Sequence, residues 1–167
     1  HGPNGWDTVV LKLDSAGVLQ WNTFAGANGG NWGYAIAVDG SGNVYATGMS
    51  QSTWGTPLHP HSGSPRDIFV LKLTGAGAYL WHTLYGAAGS YHEGRGIAVD
   101  GSGSVYVTGS STRTWGTPLN PHNGDGSNDI VVMKFDSAGT LLWHTFYGTS
   151  TDDTGYGIAV DGAGSVY

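Results

Sequence analysis

The chain has no cysteine. That excludes disulfides and thiolate metal sites, and it removes a thiol nucleophile from consideration. Charge is scarce as well. Charged residues make up 11% of the 167 positions, against roughly 25% in an average globular protein. Cations are the scarcer sign, with 6 Lys plus Arg against 12 Asp plus Glu and a net charge of −6. Nucleic acid requires a basic face, which so few scattered cations do not make. An anionic membrane surface is disfavoured on the same ground. No apolar run approaches the ~20 residues of a membrane-spanning helix, so membrane insertion is not expected. No secretory leader is visible, and the chain opens at His1 rather than Met. His1 is therefore expected to follow a cleavage or to mark the start of a fragment.

Enzyme signatures are missing too. There is no G-x-S-x-G elbow, P-loop or dinucleotide fingerprint. Glycoside hydrolysis needs two opposed carboxylates. Glu93 is the only Glu, and Asp125, Asp152 and Asp153 fall in loops that vary along the chain. A carboxylate pair brought together across distant segments keeps a hydrolase or lyase reading open. The expectation is a protein with no catalytic residue, no cofactor and no metal.

What the chain does have is glycine and aromatics: 30 Gly, 9 Tyr and 7 Trp. Low charge with many aromatics means ample apolar surface to bury, which argues against disorder. Abundant Gly without a collagen period implies many tight turns between short strands.

These residues are arranged in repeats. VDGSGNVYATGMSQSTWGTPLHPHSG (38–63) recurs as VDGSGSVYVTGSSTRTWGTPLNPHNG (99–124), and VDGAGSVY (160–167) begins a third copy. A second unit appears three times: DTVVLKLDSAGVLQWNTFAG from Asp7, DIFVLKLTGAGAYLWHTLYG from Asp67 and DIVVMKFDSAGTLLWHTFYG from Asp129. Asp39, Asp100 and Asp161 are 61 residues apart. That period is longer than an ankyrin or leucine-rich repeat and nearer to a propeller blade. Within it, YAIAV (34–38) and NVYATG (43–48) read as a hairpin across a Gly-rich turn. IFVLKL (68–73) and AYLWHTLYG (78–86), joined by TGAG, read as a second one. No segment shows a capped helical stripe, so no helix is expected.

The IAVD–G–VYVTG hairpin and the D-x-x-V-x-K-x-D/T-x-x-G-x-x-x-W hairpin resemble the bacterial β-propeller repeat family called SBBP, named for seven blades. The resemblance covers nearly the whole chain. It implies an all-β fold of propeller blades, each of four antiparallel strands, with the IAVD strand innermost. It also implies a secreted or cell-surface protein, hence an extracellular location. The family's long loop often ends in an FP-type sequence, where this chain has WGTPLHP or WGTPLNP. Residues 1–167 then form a single domain: a half-blade at 1–27, blades at 28–87 and 88–149, and a half-blade at 150–167. The strands sum to about three blades, too few for a closed ring. The half-blades would leave open strand edges. Completion of a mixed blade by a second copy would close a six-bladed ring or build a filament. The chain is therefore expected to be a non-enzymatic extracellular scaffold whose partner is itself.

The second reading is a lectin-like module with carbohydrate as partner. Trp54 and Trp115, in the WGTPL loops, are candidate platforms for stacking on sugars; the competing role is packing between blades to anchor a long loop. His59, His61 and His122 lie in the same loops. A His-x-His pair can hold zinc or copper, but the second copy has Asn120 in place of His59, so they are carried as ligand-binding candidates. His1 aligns with His122 and would add an α-amine chelator if it were a true terminus. Asp39, Asp100 and Asp161 could offer calcium an oxygen ligand. Ala163 breaks that pattern and no closing Glu follows, so they are expected to fix hairpin turns instead. His82 and His144, each after a strand Trp, are expected at a surface or sheet edge.

Overall fold

Glycine turns punctuate the chain. In the three D-G-S/A-G turns the last glycine, Gly42, Gly103 or Gly164, has φ of 82, 82 or 85°. A side chain in that left-handed conformation costs roughly 1–2 kcal/mol. Each of these glycines donates its N–H to the carbonyl of the turn's Asp at 3.0 Å.

A computed structural model describes residues 5–167. Its eleven strands are β1 (Gly5–Trp6), β2 (Thr8–Leu13), β3 (Leu19–Ala25), β4 (Gly29–Val38), β5 (Val44–Ser50), β6 (Asp67–Leu73), β7 (Tyr79–Tyr85), β8 (His92–Val99), β9 (Val105–Ser111), β10 (Asp129–Phe135) and β11 (Leu141–Tyr147). There is no helix among the described residues. The fold is all-β, as the turn spacing and alternation predict.

β2 and β3 form an isolated hairpin. β4 to β7 form an antiparallel meander in sequence order, with β1 added in parallel beside β4, and β8 to β11 form a second meander. The last segment makes a bridge between Val160 and Val166, with Ala159 and Tyr167 exchanging N–H to carbonyl bonds of 3.0 and 2.9 Å. Two features depart from the sequence expectation. The inner strand begins at Gly29 rather than Tyr34. It also carries a register shift between Gly33 and Ala35, repeated in β8 between Gly94 and Gly96. Such a bulge adds one residue against the partner strand and re-aims its side chain; here that residue is Tyr34 in β4 and Arg95 in β8.

The sheets pack face to face. One face of β6, Phe69, Leu71 and Leu73, meets Val10 and Ala25 of the β2–β3 hairpin, with Trp54 in the same cluster. Its other face, Ile68 and Val70, meets Val131, Met133 and Phe135 of β10. The strand tryptophans tie successive sheets together. Trp21 Nε1 donates to the Gly75 carbonyl at 3.1 Å, and Trp81 Nε1 to the Ser137 carbonyl at 3.3 Å. A Cβ on Gly77 or Gly139 would come within 2.7 Å of the Trp21 ring or 2.9 Å of the Trp81 ring. Glycine in these turns therefore makes room for the neighbouring indole.

Candidate functional site

The WGTPL loops fold back onto the outer strands. Trp54 is 7% exposed and lies parallel to the His82 ring, with centroids 3.5 Å apart and planes at 7°. Trp115 repeats this on His144 at 4.0 Å and 3°. Each imidazole Nε2 bonds the carbonyl of the tryptophan above it at 2.8 Å. Both histidines lie on strands at the edge of their sheets, β7 and β11, as expected, but they are buried rather than at the surface, because the long loop is their roof. Burial lowers the His82 pKa to about 4, opposed by its bond to the Trp54 carbonyl. The same two causes, in the same order, lower that of His144. A neutral imidazole avoids a buried charge and keeps a flat face for the indole. The stacking face that a sugar would use is thus taken by a histidine in both loops.

The other loop histidines are anchors as well. His59 Nδ1 bonds the Leu84 carbonyl at 2.7 Å and its ring stacks on Tyr85. His61 accepts from the Gly63 N–H at Nδ1, and its Nε2 faces the Ser50 carbonyl at 3.1 Å. His122 repeats this with the Gly124 N–H and the Ser127 carbonyl. No group of three or more His, Asp or Glu among the described residues is placed to hold a metal. His1 lies outside the described residues.

The turn aspartates accept from their own turns. Asp100 receives the Ser102 and Ser104 amides at 2.9 Å, the Ser102 hydroxyl at 2.6 Å and the Tyr106 hydroxyl at 3.1 Å. Its partial burial works to raise its pKa, but these bonds, led by the Ser102 hydroxyl, lower it to about 2. Asp39 takes the Ser41 and Asn43 amides at 2.9 Å and the Tyr45 hydroxyl at 3.0 Å. Asp161 takes the Ala163 and Ser165 amides at 2.9 and 2.8 Å and the Tyr167 hydroxyl at 3.2 Å.

A site that residue-by-residue reading passed over lies at the beginnings of the inner strands. Glu93, the only Glu in the chain, is buried and bonded by the guanidinium groups of both Arg66 and Arg95. Arg95 lies over the Tyr34 ring at 4.3 Å and Arg66 over Tyr91 at 5.3 Å. The Tyr34 hydroxyl is raised in pKa first by burial and then by the Glu93 carboxylate, with Arg95 and Arg66 opposing. Arg66, Tyr91, Glu93 and Arg95 border a cleft of about 280 Å³ that Asn128, Thr154 and Tyr156 also line. The available signal was non-repetition. Arg66, Glu93 and Arg95 stand where the other copies have Trp6 and Asn128, Trp32 and Thr154, and Tyr34 and Tyr156. His92 beside them was missed for the same reason. It is buried, with Nδ1 facing the Ser111 hydroxyl at 2.8 Å and Nε2 accepting the Ala87 N–H at 2.8 Å.

The regulatory protein FlaEY of Caulobacter vibrioides is 30% identical to this chain over 125 residues. The match covers 74% of the chain and spans 12% of that relative's length. The family of β-propeller repeats called SBBP matches residues 20–55 and 80–118, the stretches that hold the strand tryptophans, the D-G-S-G turns and the loop tryptophans. Two stretches of the chain, 20–55 and 80–118, thus match SBBP β-propeller repeats.

Proposed function

We propose that this chain is a non-enzymatic structural module of about three four-stranded blades that joins to a second copy of itself by completing a blade between chains, outside the cell or on its surface. The observation that carries this reading is the exposure of one face of β2. Leu11 is 49% exposed, while its repeat equivalents Leu71 and Met133 are 1% and 0% exposed. Val9 and Leu13 share that open face at 48% and 49%.

The opposite end of the molecule carries the complementary parts. An apolar cleft of about 400 Å³ runs between Ile130, Val132, Trp143, Ile158, Val166 and Tyr167. Ile130 and Val132 are the repeat equivalents of Ile68 and Val70, which cover Val131, Met133 and Phe135 within the chain. Tyr167 stands where Tyr45 and Tyr106 pair with Lys72 and Lys134, each lysine 5.0 Å above its ring. Lys12 holds the matching lysine position in β2. A Cβ placed on Gly17 would meet nothing within 4 Å, although its equivalents Gly77 and Gly139 each receive an indole; Trp143 is the third repeat equivalent of Trp21 and Trp81. Seating Trp143 on Gly17 and Tyr167 over Lys12 of a second copy repeats contacts already made twice within the chain. Two such joints close six blades, and one that fails to close gives a filament.

The carbohydrate-binding alternative has less support in the loops, because the Trp54 and Trp115 faces lie against histidines. The test of the scaffold reading is native mass by light scattering over a wide concentration range, on the wild type and on Leu11→Asp. The expected result is a dimer or a growing distribution for the wild type and a folded monomer for the variant. A wild type that stays monomeric throughout overturns the proposal.

A further inference from the structure

We propose that the cleft between Arg66, Arg95 and Tyr156 is a binding site for a hydroxylated carboxylate of the sugar-acid class, a single uronate residue being the fitting size. This site is independent of the joint between copies.

Charge is the first support. The chain has a net charge of −6, yet this cleft gathers two guanidinium groups around one carboxylate and so carries a positive excess. Asp152 does not border it; its carboxylate accepts the backbone and side-chain N–H groups of Asn128 at 2.8 and 3.0 Å. Arg66 engages Glu93 through Nη1 and Arg95 through Nη2. Each guanidinium has five N–H donors, so donors remain on both. The Arg66 and Arg95 side chains are 38% and 32% exposed, whereas Glu93 beneath them is 11% exposed. Glu93 therefore works as an internal strut that aims the two forks outward.

The placement of Arg95 supports a binding role over a purely structural one. Arg95 is the added residue of the β8 bulge, and Tyr34 is the added residue of the β4 bulge one repeat earlier. The two bulges bring these side chains together, with the guanidinium over the ring. Arg66, Glu93 and Arg95 occur in one copy only, whereas the position of Arg95 is a tyrosine, Tyr34 or Tyr156, in the other two.

The cleft's chemistry selects the ligand class. Paired arginine forks match the planar, bidentate geometry of a carboxylate. A phosphate dianion would meet the Glu93 carboxylate at close range with twice the repulsion. Around the arginines stand Ser110, Thr112, Thr154 and Asn128, hydroxyl and amide groups that both donate and accept, as a polyhydroxylated ring demands. Tyr156 is 73% exposed and Tyr91 49% exposed, which leaves aromatic surface for the apolar face of a sugar. A volume of about 280 Å³ falls just under the range of sites for drug-sized ligands, roughly 300–1,000 Å³, and suits one sugar residue.

The experiment is an NMR titration of the ¹⁵N-labelled chain with galacturonate, with galactose and inorganic phosphate as separate arms at matched ionic strength. Saturable shifts confined to the amides of residues 91–95, 110–112 and 154–156 are expected with galacturonate, with binding at least about tenfold weaker in both control arms. Arg66→Gln should weaken galacturonate by about tenfold or more. Because Arg66 also braces Glu93, Tyr156→Ala, at an exposed position, gives an independent reading with an expected loss of roughly threefold or more. Titration of Leu11→Asp separates this site from the joint: shifts retained in that variant leave the inference standing even if the chain never self-associates. No saturable shift with galacturonate, equal binding of galactose or phosphate, or wild-type affinity in both cleft variants overturns it.

Discussion

The hairpins β2–β3 and β10–β11 have nearly the same sequence pattern and the same pairing. Lys12 opposes Trp21 as Lys134 opposes Trp143, and both hairpins shift register at the following residue. They differ in what lies beside them. β10 has β9 hydrogen-bonded along its whole length, and Val131, Met133 and Phe135 are 0% exposed against the preceding sheet. β2 has neither neighbour, and Val9, Leu11 and Leu13 stay about half exposed. Local sequence makes the hairpin; a neighbouring sheet makes it core. That difference leaves the β2 face open, and it is this face that the proposed joint would cover.

The largest effect should come from equal changes at equivalent positions. Met133→Ala should destabilise the chain by about 2–5 kcal/mol, the usual range for emptying a core site. Leu11→Ala should cost under about 1 kcal/mol in a dilute monomer, since its side chain is half in water. Urea unfolding of both variants checks this. Equal losses would mean that the open face of β2 is covered in solution, which light scattering at the same concentration would attribute to a second copy.

Next in size is the pH dependence that the loop roofs impose. His82 has a folded pKa of about 4 against an ordinary 6.5. The unfolded chain therefore takes up the proton first as pH falls. The contribution of neutral His82 is complete above about pH 6.5 and is lost between 6.5 and 4, amounting to a few kcal/mol at most. Asn22 holds the equivalent position in β3, so His82→Asn is the natural comparison. The variant should be less stable than wild type at pH 7, and the gap should narrow by pH 4.5 in denaturant midpoints. A constant gap would mean that the His82 imidazole titrates normally.

The smallest effect separates two copies of one turn. Asp100→Ala removes four accepted bonds and should cost about 1–2 kcal/mol. Asp161→Ala, in an exposed turn, should cost less than Asp100→Ala in a monomer and approach the Asp100 value once the last segment is completed by a partner. The folded Asp100 pKa of about 2 lies below its ordinary 3.8. Its stabilisation is therefore full above about pH 4 and lost as pH falls toward 2. Thermal unfolding at pH 7 and pH 3 tests both variants.

Much of this architecture was legible in the sequence. The repeated glycines mark turns because the left-handed backbone excludes other residues, and the strands between them follow from alternation of β-branched and polar positions. The Asp39, Asp100 and Asp161 turns were legible because their bonds run two to six residues along the chain. The fate of Trp54 and Trp115 was not. Their partners, His82 and His144, are 28 and 29 residues away, and an aromatic loop residue reads the same in sequence whether it faces water or a ring.

By itself, the sequence of this protein determined the repeat, the turn positions, the strand class and the absence of a helix among the described residues, all of them products of local backbone preference and short-period patterning. Only the tertiary structure decided which copies of one motif are buried, that a neutral histidine lies under each tryptophan loop, and that Arg66, Glu93 and Arg95 meet in one cleft. Those outcomes depend on which sheet stands beside which and on two bulges that swing side chains between repeats. Distances of that kind are set by packing across 27 residues between Arg66 and Glu93, where propensity carries no information.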